Sequence, residues 1–186
     1  MKNGMTSQEE HYEQLLGLSG AWKVSAVTLD LAAKRVEVEI GYDLSQPMEC
    51  PECGEECPHY DHREMREWRH LDTMQFETVL RCEVPRCNCP EHGVKTLRVP
   101  WAGKGSRFTL LFESFAIDVL QACSSVKAAA ELMGMNWQQI NQIKQRAVAR
   151  GLERRQAVPV EHMGIDEKSF RRGHNYISIL TDLNRS

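Results

Sequence analysis

The sequence contains no long apolar run. None of its hydrophobic stretches approaches the roughly 18 consecutive residues of a membrane-spanning helix. The first residues, MKNGMTSQEEHYEQLL, are polar and acidic, unlike the apolar stretch of a signal peptide. Internal repeats and low-complexity tracts are also lacking, so nothing indicates a repeat architecture. We therefore expect a cytoplasmic globular protein without a membrane partner.

A strong net charge is lacking as well, since the formal value is only -3 for 186 residues. The charge is unevenly distributed along the chain, however. Residues 104–155 hold 8 basic and 4 acidic side chains, whereas acidic side chains are in excess over residues 1–49 and 50–103. A polyanionic partner is therefore expected for the basic segment and not for the chain as a whole.

Cysteine, by contrast, is plentiful: the chain has 7, several of them closely spaced. In a reducing compartment such clusters are more often metal ligands than disulfides. The stretch CPECG holds Cys50 and Cys53, and the stretch CPEHG holds Cys89 and His92. Two such knuckles supply thiolate and imidazole ligands for tetrahedral zinc with no open position. We therefore predict a zinc ribbon over residues 50–103, in which a structural zinc supplies folding energy to a segment with little core.

Two questions stay open in this segment. Cys87 could replace Cys89 as a ligand. The stretch HYDHREMREWRHLD is either a solvated connection with Trp68 packed on the ribbon or a contact with a DNA backbone. Its acidic residues offset its basic ones, which favours the solvated connection. Other residues without an assigned role are Cys57, Cys82, His59 and His62.

From Phe108 to about Gly151, apolar residues recur every three or four positions, which indicates helices. In the first helix one apolar face is predicted, consisting of Phe108, Leu111, Phe112, Phe115, Val119 and Leu120. Ser124 or Ser125 can cap a short second helix, and Gly134 can end it. Asn136 can cap a third. This spacing is typical of a helix-turn-helix unit.

The helix after Asn136 has an inward face and an amide-rich outward face. We expect Trp137, Ile140, Ile143 and Ala147 to point inward. Gln and Asn pair with adenine edges, and Lys and Arg suit guanine or phosphate. The outward residues, predicted to contact DNA, are Gln138, Gln139, Asn141, Gln142, Lys144, Gln145 and Arg146. The alternative is a plain three-helix bundle with a polar face.

The last segment carries an acidic residue, Asp166, in the predicted strand GIDEKSF, which precedes the apolar strand YISIL. Glu167 faces away from Asp166 because strand residues alternate between faces. Asp182 is expected to start a turn. Metal-dependent phosphoryl transfer needs two or three converging carboxylates, so a lone aspartate is a weak signal.

The chain contains, in this order, a zinc ribbon, a helix-turn-helix and a hairpin that bears an Asp. This arrangement resembles bacterial insertion-sequence transposases of the DDE class with an N-terminal zinc ribbon. The matching stretches are LLGLSGAWKV, CPECG, WRHLD, CPEHGVKTLRVPWA, GSRFTLLFE, AAELMGMNWQQINQI and GIDEKSFRRGHNYISILTDL. The resemblance implies that Asp166 is the first carboxylate of the triad on an RNase H-like sheet. It also implies that the ribbon cysteines and histidine bind zinc, and that the helix-turn-helix binds terminal inverted repeats of double-stranded DNA.

The second Asp and the Glu of such triads lie downstream of this sequence. We therefore expect an α+β protein that recognises DNA but is catalytically incomplete as given, with Mg²⁺ needed only by a complete catalytic domain. The predicted segments are a helix and β-hairpin (1–49), the zinc ribbon (50–103), the helix-turn-helix (104–155) and the start of the RNase H-like sheet (156–186). Homo-oligomerisation stays open. The alternatives are a zinc-dependent helix-turn-helix transcription regulator and a zinc-ribbon interaction module.

Overall fold

The computed structural model describes residues 7–156, 159–171 and 175–184. Within these ranges helices and strands are segregated along the chain: nine strands follow the first helix, then three helices, then two strands, which confirms the predicted α+β class. Its elements are α1 (Gln8–Leu16), β1 (Trp22–Asp30), β2 (Arg35–Tyr42), β3 (Met48–Glu49), β4 (Glu56–Cys57), β5 (His59–His62), β6 (Arg66–Arg69), β7 (Glu77–Cys82), β8 (Pro85–Cys89), β9 (Gly93–Thr96), α2 (Leu110–Ala122), α3 (Val126–Leu132), α4 (Trp137–Arg154), β10 (Met163–Arg171) and β11 (Asn175–Asp182). No helix in these ranges is both long and apolar enough to cross a membrane.

The chain forms two compact units, one extending to Ala147 and the other starting at Val148. The first unit begins with α1. A capping box starts this helix: the Ser7 hydroxyl accepts from the Glu10 backbone N–H, and the Glu10 carboxylate accepts from the Ser7 backbone N–H. Gly17 ends it in the left-handed conformation.

The hairpin of β1 and β2 follows α1. Alternation along the strands buries Val24, Val36, Val38 and Ile40. Ala26 is only half-buried, because the register shifts between Val24 and Ala26. The hairpin thus presents one apolar face to the rest of the unit.

Four strands form the main sheet, in the order β1-β2-β7-β6. β2 and β7 run parallel, with Val38 opposite Leu80. In its core, the Trp101 ring makes edge contacts with Trp22 (5.1 Å between centroids) and Trp68 (5.5 Å). Strands from both sides of the segment boundary predicted between residues 49 and 50 therefore share one sheet.

Two smaller sheets carry the ribbon. β3 pairs with β4, and β8 lies between β5 and β9. The apolar cluster between them is small and rich in sulfur, consisting of Met48, Cys50, Cys57, Cys87 and Cys89. Such a cluster buries little apolar surface, as expected for a segment that needs a metal ion to fold.

Helices α2, α3 and α4 pack around a separate core. Its buried members are Phe108, Phe112, Ala116, Ala130, Ile140 and Ile143. The predicted face of α2 is wrong in part, because Leu111 and Phe115 are exposed while Glu113 is buried. The reason is tertiary: the Glu113 carboxylate has a basic partner on α4, so the buried side of α2 is turned toward it.

The second unit contains the hairpin of β10 and β11, in which Asp166 lies opposite Ile179. Residues 172–174, between the two strands, lie outside the described residues. The Asp182 carboxylate accepts a hydrogen bond from the Asn184 N–H at 3.0 Å, which confirms the turn predicted there. The exposed large apolar side chains of this hairpin and turn include Met163, Ile165, Tyr176, Ile177, Ile179, Leu180 and Leu183.

Candidate metal centre and nucleic-acid interface

Two tight turns present the predicted metal ligands. In the first, the Gly54 N–H donates to the Cys50 carbonyl, and the Cys50 N–H donates to the Glu55 carbonyl, both at 2.8 Å. Gly54 has a φ of 80° and Gly93, after the second pair of ligands, a φ of 65°. L side chains rarely adopt these values, so both knuckles need a glycine at this position.

The four predicted ligands converge. Cys50, Cys53, Cys89 and His92 each place one ligand atom within 4.8 Å of the other three. The Cys53 and Cys89 Sγ atoms are 3.8 Å apart, and the His92 Nδ1 lies 3.5 Å from the Cys89 Sγ and 3.9 Å from the Cys50 Sγ. A tetrahedral zinc site with ordinary bond lengths has S–S edges of about 3.8 Å and S–N edges of about 3.5 Å. The cluster therefore fits zinc, with His92 facing the ion through Nδ1.

The thiols of this cluster have opposed pKa shifts. Burial raises the pKa of Cys50, but hydrogen bonds to its sulfur from the backbone N–H groups of Cys53 and Glu52 outweigh burial and bring it to about 7. For Cys53, the Glu55 N–H lowers the pKa, but burial and the neighbouring thiols raise it to about 11. Ionisation of one thiol thus opposes ionisation of its neighbour. A divalent cation removes this conflict, because zinc binds cysteine as thiolate.

Cys87 does not join the cluster; the structure brings Cys89 there instead. Cys87 is fully buried, and Cys57 is buried beside Met48 in the same small core. Burial and the adjacent Cys87 raise the pKa of Cys57 to about 12, so it is a neutral packing residue. Cys82 lies in the core of the four-stranded sheet, where burial raises its pKa to about 12 as well.

The Arg- and His-rich stretch that follows the first knuckle forms β5 and β6. His59 and His62 are exposed, with ring centroids 4.7 Å apart, and lie outside the metal cluster. Trp68 was expected to pack on the ribbon; it lies instead in the core of the four-stranded sheet, because β6 pairs with β7 and sets it opposite Leu80. The stretch is therefore structured rather than a plain solvated connection.

Caps define the helix-turn-helix. The Ser125 hydroxyl accepts from the Ala128 N–H at 3.2 Å and starts α3, which settles the choice between Ser124 and Ser125. Gly134, with a φ of 62°, makes the turn. The Asn136 side chain accepts from the Gln139 N–H at 2.9 Å and starts α4, as predicted.

The predicted DNA-contacting residues of α4 fall into different environments. Gln138, Gln142 and Gln145 are exposed, and Asn141 and Lys144 are half-exposed. The remaining two have intramolecular partners. The Gln139 side chain accepts from the Asn136 N–H at 2.9 Å, so it serves as a helix cap.

Arg146 is the other exception. Its Nε and Nη2 lie 2.9 and 2.8 Å from one carboxylate oxygen of Glu113, which is only 1% exposed. The Ser106 hydroxyl donates to the same oxygen at 2.8 Å. A buried carboxylate requires such partners, so this ion pair joins α4 to α2. Sequence reasoning missed Glu113, and its only signal was an acidic residue within an otherwise apolar stretch.

Trp137 was predicted to point inward, but it is 57% exposed. It is the first residue of α4, and the buried core of this helix begins with Ile140, about one turn later. The predicted inward positions Ile140 and Ile143 are fully buried, whereas Ala147 is half-buried. The outer surface at the start of α4 therefore includes an aromatic ring beside the amides.

Asp166 is exposed on β10, in the second unit. Among the described residues, the group of Cys, His, Asp and Glu side chains that could hold a metal ion is the ribbon cluster, and it does not include Asp166. The role of Asp166 as a catalytic carboxylate stays a prediction.

Comparisons with known proteins match two parts of the first unit. The model of the helix-turn-helix domain of transposase family ISL3 matches residues 97–148, and that of the zinc-finger of transposase IS204/IS1001/IS1096/IS1165 matches residues 46–92. The transposases for insertion sequence element IS1557 from two strains of Mycobacterium tuberculosis, CDC 1551 and H37Rv, are each 35% identical over 136 residues. That alignment covers 72% of this chain and 30% of each relative. No solved structure matches the chain significantly.

Proposed function

Because this chain carries the zinc-ribbon and helix-turn-helix domains of insertion-sequence transposases, we propose that it recognises double-stranded DNA at the ends of a mobile element. The single observation that carries this proposal is the capped helix α4, which holds exposed amide side chains on a helix-turn-helix core. Both matched domains belong to transposases, which favours this function over a transcription regulator. A cytoplasmic location is part of the proposal.

In this proposal α4 lies in the major groove. Gln138, Gln142 and Gln145 contact base edges, since a glutamine amide both donates and accepts toward adenine. Asn141 and Lys144 extend the contact. Arg146 and Gln139, which have partners within the protein, fix the position of the helix instead.

Zinc plays a structural role here. Cys50, Cys53, Cys89 and His92 would hold it, and a site with four protein ligands leaves no position for substrate. The ion neutralises the crowded thiolates and ties the two knuckles together. The chain's own contribution is the geometry of two glycine turns, which aims all four ligands at one point.

This chain spans about a third of the length of the curated relatives, and we propose that catalysis requires a complete transposase. We propose that Asp166 is the first of the carboxylates that bind Mg²⁺ in a complete RNase H-like domain. The hairpin supports this proposal, since a pair of strands with so many exposed apolar side chains is marginal by itself and suits a larger sheet.

The test is selection of binding sites from a random-sequence duplex pool. We expect one consensus, found at both ends of the element that encodes the protein. The variant Gln142→Ala/Gln145→Ala should weaken binding to that consensus at least tenfold, since each bidentate base contact is worth about 1–3 kcal/mol. The matched control, Gln8→Ala/Gln46→Ala, removes two exposed amides from elsewhere and should bind like the unchanged chain.

Failure to enrich any consensus would contradict base recognition by α4. A consensus found upstream of unrelated genes, and absent from element ends, would instead support the transcription regulator. Equal losses in the test and control variants would show that the amides of α4 have no special role.

A further inference from the structure

The cations of the first unit form two groups. One group has carboxylates within 4 Å and consists of Lys23, Arg35, Arg69, Arg81, Arg86, Lys127 and Arg146. The second group has no carboxylate at salt-bridge distance within the described residues; besides the scattered Lys34, Lys95 and Lys144, its members are Arg63, Arg66, Arg98, Lys104 and Arg107. The distinction matters because a paired arginine is already neutralised, whereas an unpaired one is available to an outside anion.

Four of these unpaired cations line one cleft. Arg63, Arg66, Arg98 and Lys104 surround a space of about 1030 Å³ between β6, the end of the ribbon and the glycine-flanked loop at residues 103–105. We call this space, with the adjoining Arg107, the basic cleft. His62 and Arg86 also line it, as do the carboxylates of Glu52 and Glu64. Its cationic side chains therefore outnumber its acidic ones.

Arg66 shows the energetic cost of this arrangement. Partial burial, followed by repulsion from Arg107, lowers its pKa. Its guanidinium lies 4.8 Å above the Trp68 ring and donates to the Ser106 carbonyl at 2.6 Å, so it is held in place without a carboxylate. Gathering like charges around a cleft costs free energy, which a bound polyanion would return.

A chain of hydrogen bonds connects the basic cleft to α4. Arg66 donates to the backbone of Ser106, the Ser106 hydroxyl donates to Glu113, and Glu113 accepts from Arg146 of α4. Ser106 and Glu113 are each only 1% exposed, so this connection is buried. The connection thus fixes the position of the basic cleft relative to α4, so one ligand could contact both.

We propose that the basic cleft is a second DNA-binding surface, which takes the phosphate backbone of the same duplex whose bases α4 reads. The proposal rests on the DNA-binding function proposed above and adds a separate contact to it. Duplex DNA is favoured because a helix-turn-helix reads a duplex, and a phosphate backbone offers the row of negative charges that this cleft lacks. Under this proposal the stretch around Arg63 and Arg66 contacts the DNA backbone. Its nearly equal numbers of acidic and basic residues had favoured a solvated connection instead.

The test compares two double variants that each remove two positive charges. Arg98→Gln/Lys104→Gln neutralises the exposed rim of the cleft. Lys23→Gln/Lys34→Asn neutralises two lysines outside it, and asparagine suits residue 34 because its φ is 51°. Binding is measured by fluorescence anisotropy over a range of salt, on a mixed-sequence duplex of about three helical turns, or about 30 base pairs.

We expect the cleft variant to reduce the slope of log affinity against log salt by about 1.8, since each lost phosphate contact removes about 0.9. Its affinity near physiological salt should fall roughly tenfold or more. The lysine control should keep the slope of the unchanged chain. Thermal unfolding confirms folding; if the double variant were unfolded, Lys104→Gln alone, on an exposed loop, should reduce the slope by about 0.9.

The outcomes separate the two proposals. If Gln142→Ala/Gln145→Ala weakens binding to the selected site but the cleft variant leaves the salt slope unchanged, the basic cleft proposal is overturned and the function of α4 stands. If the unchanged chain binds no duplex at all, both proposals fail. A cleft variant that loses affinity for single-stranded RNA of the same length, but not for the duplex, would also overturn the proposal.

Discussion

The zinc ribbon and the helical module of this protein are held together by different physical means. The ribbon's buried apolar cluster is one methionine and four cysteines. The helical module has a core of aromatic and aliphatic side chains and one buried ion pair. A segment without enough apolar surface depends on a metal, whereas a segment with enough depends on packing. The two regions should therefore fail under different perturbations.

The largest expected effect concerns the ribbon alone. Chelating zinc, or the variant Cys89→Ser, should unfold the knuckles, since structural zinc contributes about 10–16 kcal/mol of binding free energy. Zinc content and backbone NMR spectra measure this, and signals from α2–α4 should persist. The matched variant Cys87→Ala removes a buried thiol that lies outside the ligand cluster and should retain one zinc per chain. Loss of zinc from Cys87→Ala, with retention in Cys89→Ser, would exchange the two ligand assignments.

The second effect concerns the helical module alone. Arg146→Met should reduce the free energy of unfolding by about 3–5 kcal/mol, because it leaves the Glu113 charge buried without its cation. The double variant Glu113→Met/Arg146→Met removes both charges and should lose much less. Denaturant unfolding measures both, with zinc content unchanged. If the two variants were equally unstable, the ion pair would not be what fixes α4.

The smallest expected effect is a pH dependence of the free energy of unfolding, and it comes from His70, between the four-stranded sheet and α2. His70 is buried, its Nδ1 is 2.9 Å from the Thr109 hydroxyl that caps α2, and burial followed by repulsion from Arg69 lowers its pKa to about 4. Since its unfolded pKa is about 6.5, the unfolded chain binds the proton first as pH falls. Stability is therefore full above about pH 6.5 and is lost progressively down to about pH 4.

At pH 5 this loss should amount to about 2 kcal/mol relative to pH 7. The comparison is between the unchanged chain and His70→Asn, each unfolded by denaturant at both pH values. Acid release of zinc affects both proteins equally, so it cancels in the difference. An identical pH dependence of the two proteins would show that His70 does not titrate between these limits.

Local sequence signals predicted the local parts of this structure. The caps at Ser125 and Asn136 and the turn at Gly134 follow from residue types that favour these conformations in any context. The ribbon knuckles follow from ligand spacing, which a short turn dictates. Within two or three residues of each other, such groups interact regardless of the rest of the fold.

Contacts between distant residues were not predictable from the same signals. The parallel pairing of β2 with β7 joins segments that have separate sequence patterns. Glu113 and Arg146 lie on different helices, so neither helix alone shows that one is buried and the other paired. The intramolecular partners of Arg146 and Gln139 likewise became visible only in the fold. The cleft cations were hidden for the same reason, since three separate stretches supply them.

The parallel pairing of β2 with β7 also bears on how the chain folds. Val38 and Leu80 are about 40 residues apart along the chain, and closing such a loop costs entropy before any contact repays it. The zinc would join the first knuckle, which lies inside this loop, to the second knuckle, which lies beyond Leu80. The path from Val38 to Leu80 through the ion is therefore about half as long as the path along the chain. Halving a loop lowers the cost of closure by about 0.6 kcal/mol. Zinc thus stabilises a sheet that it does not contact, because it reduces the entropy lost when β2 and β7 pair.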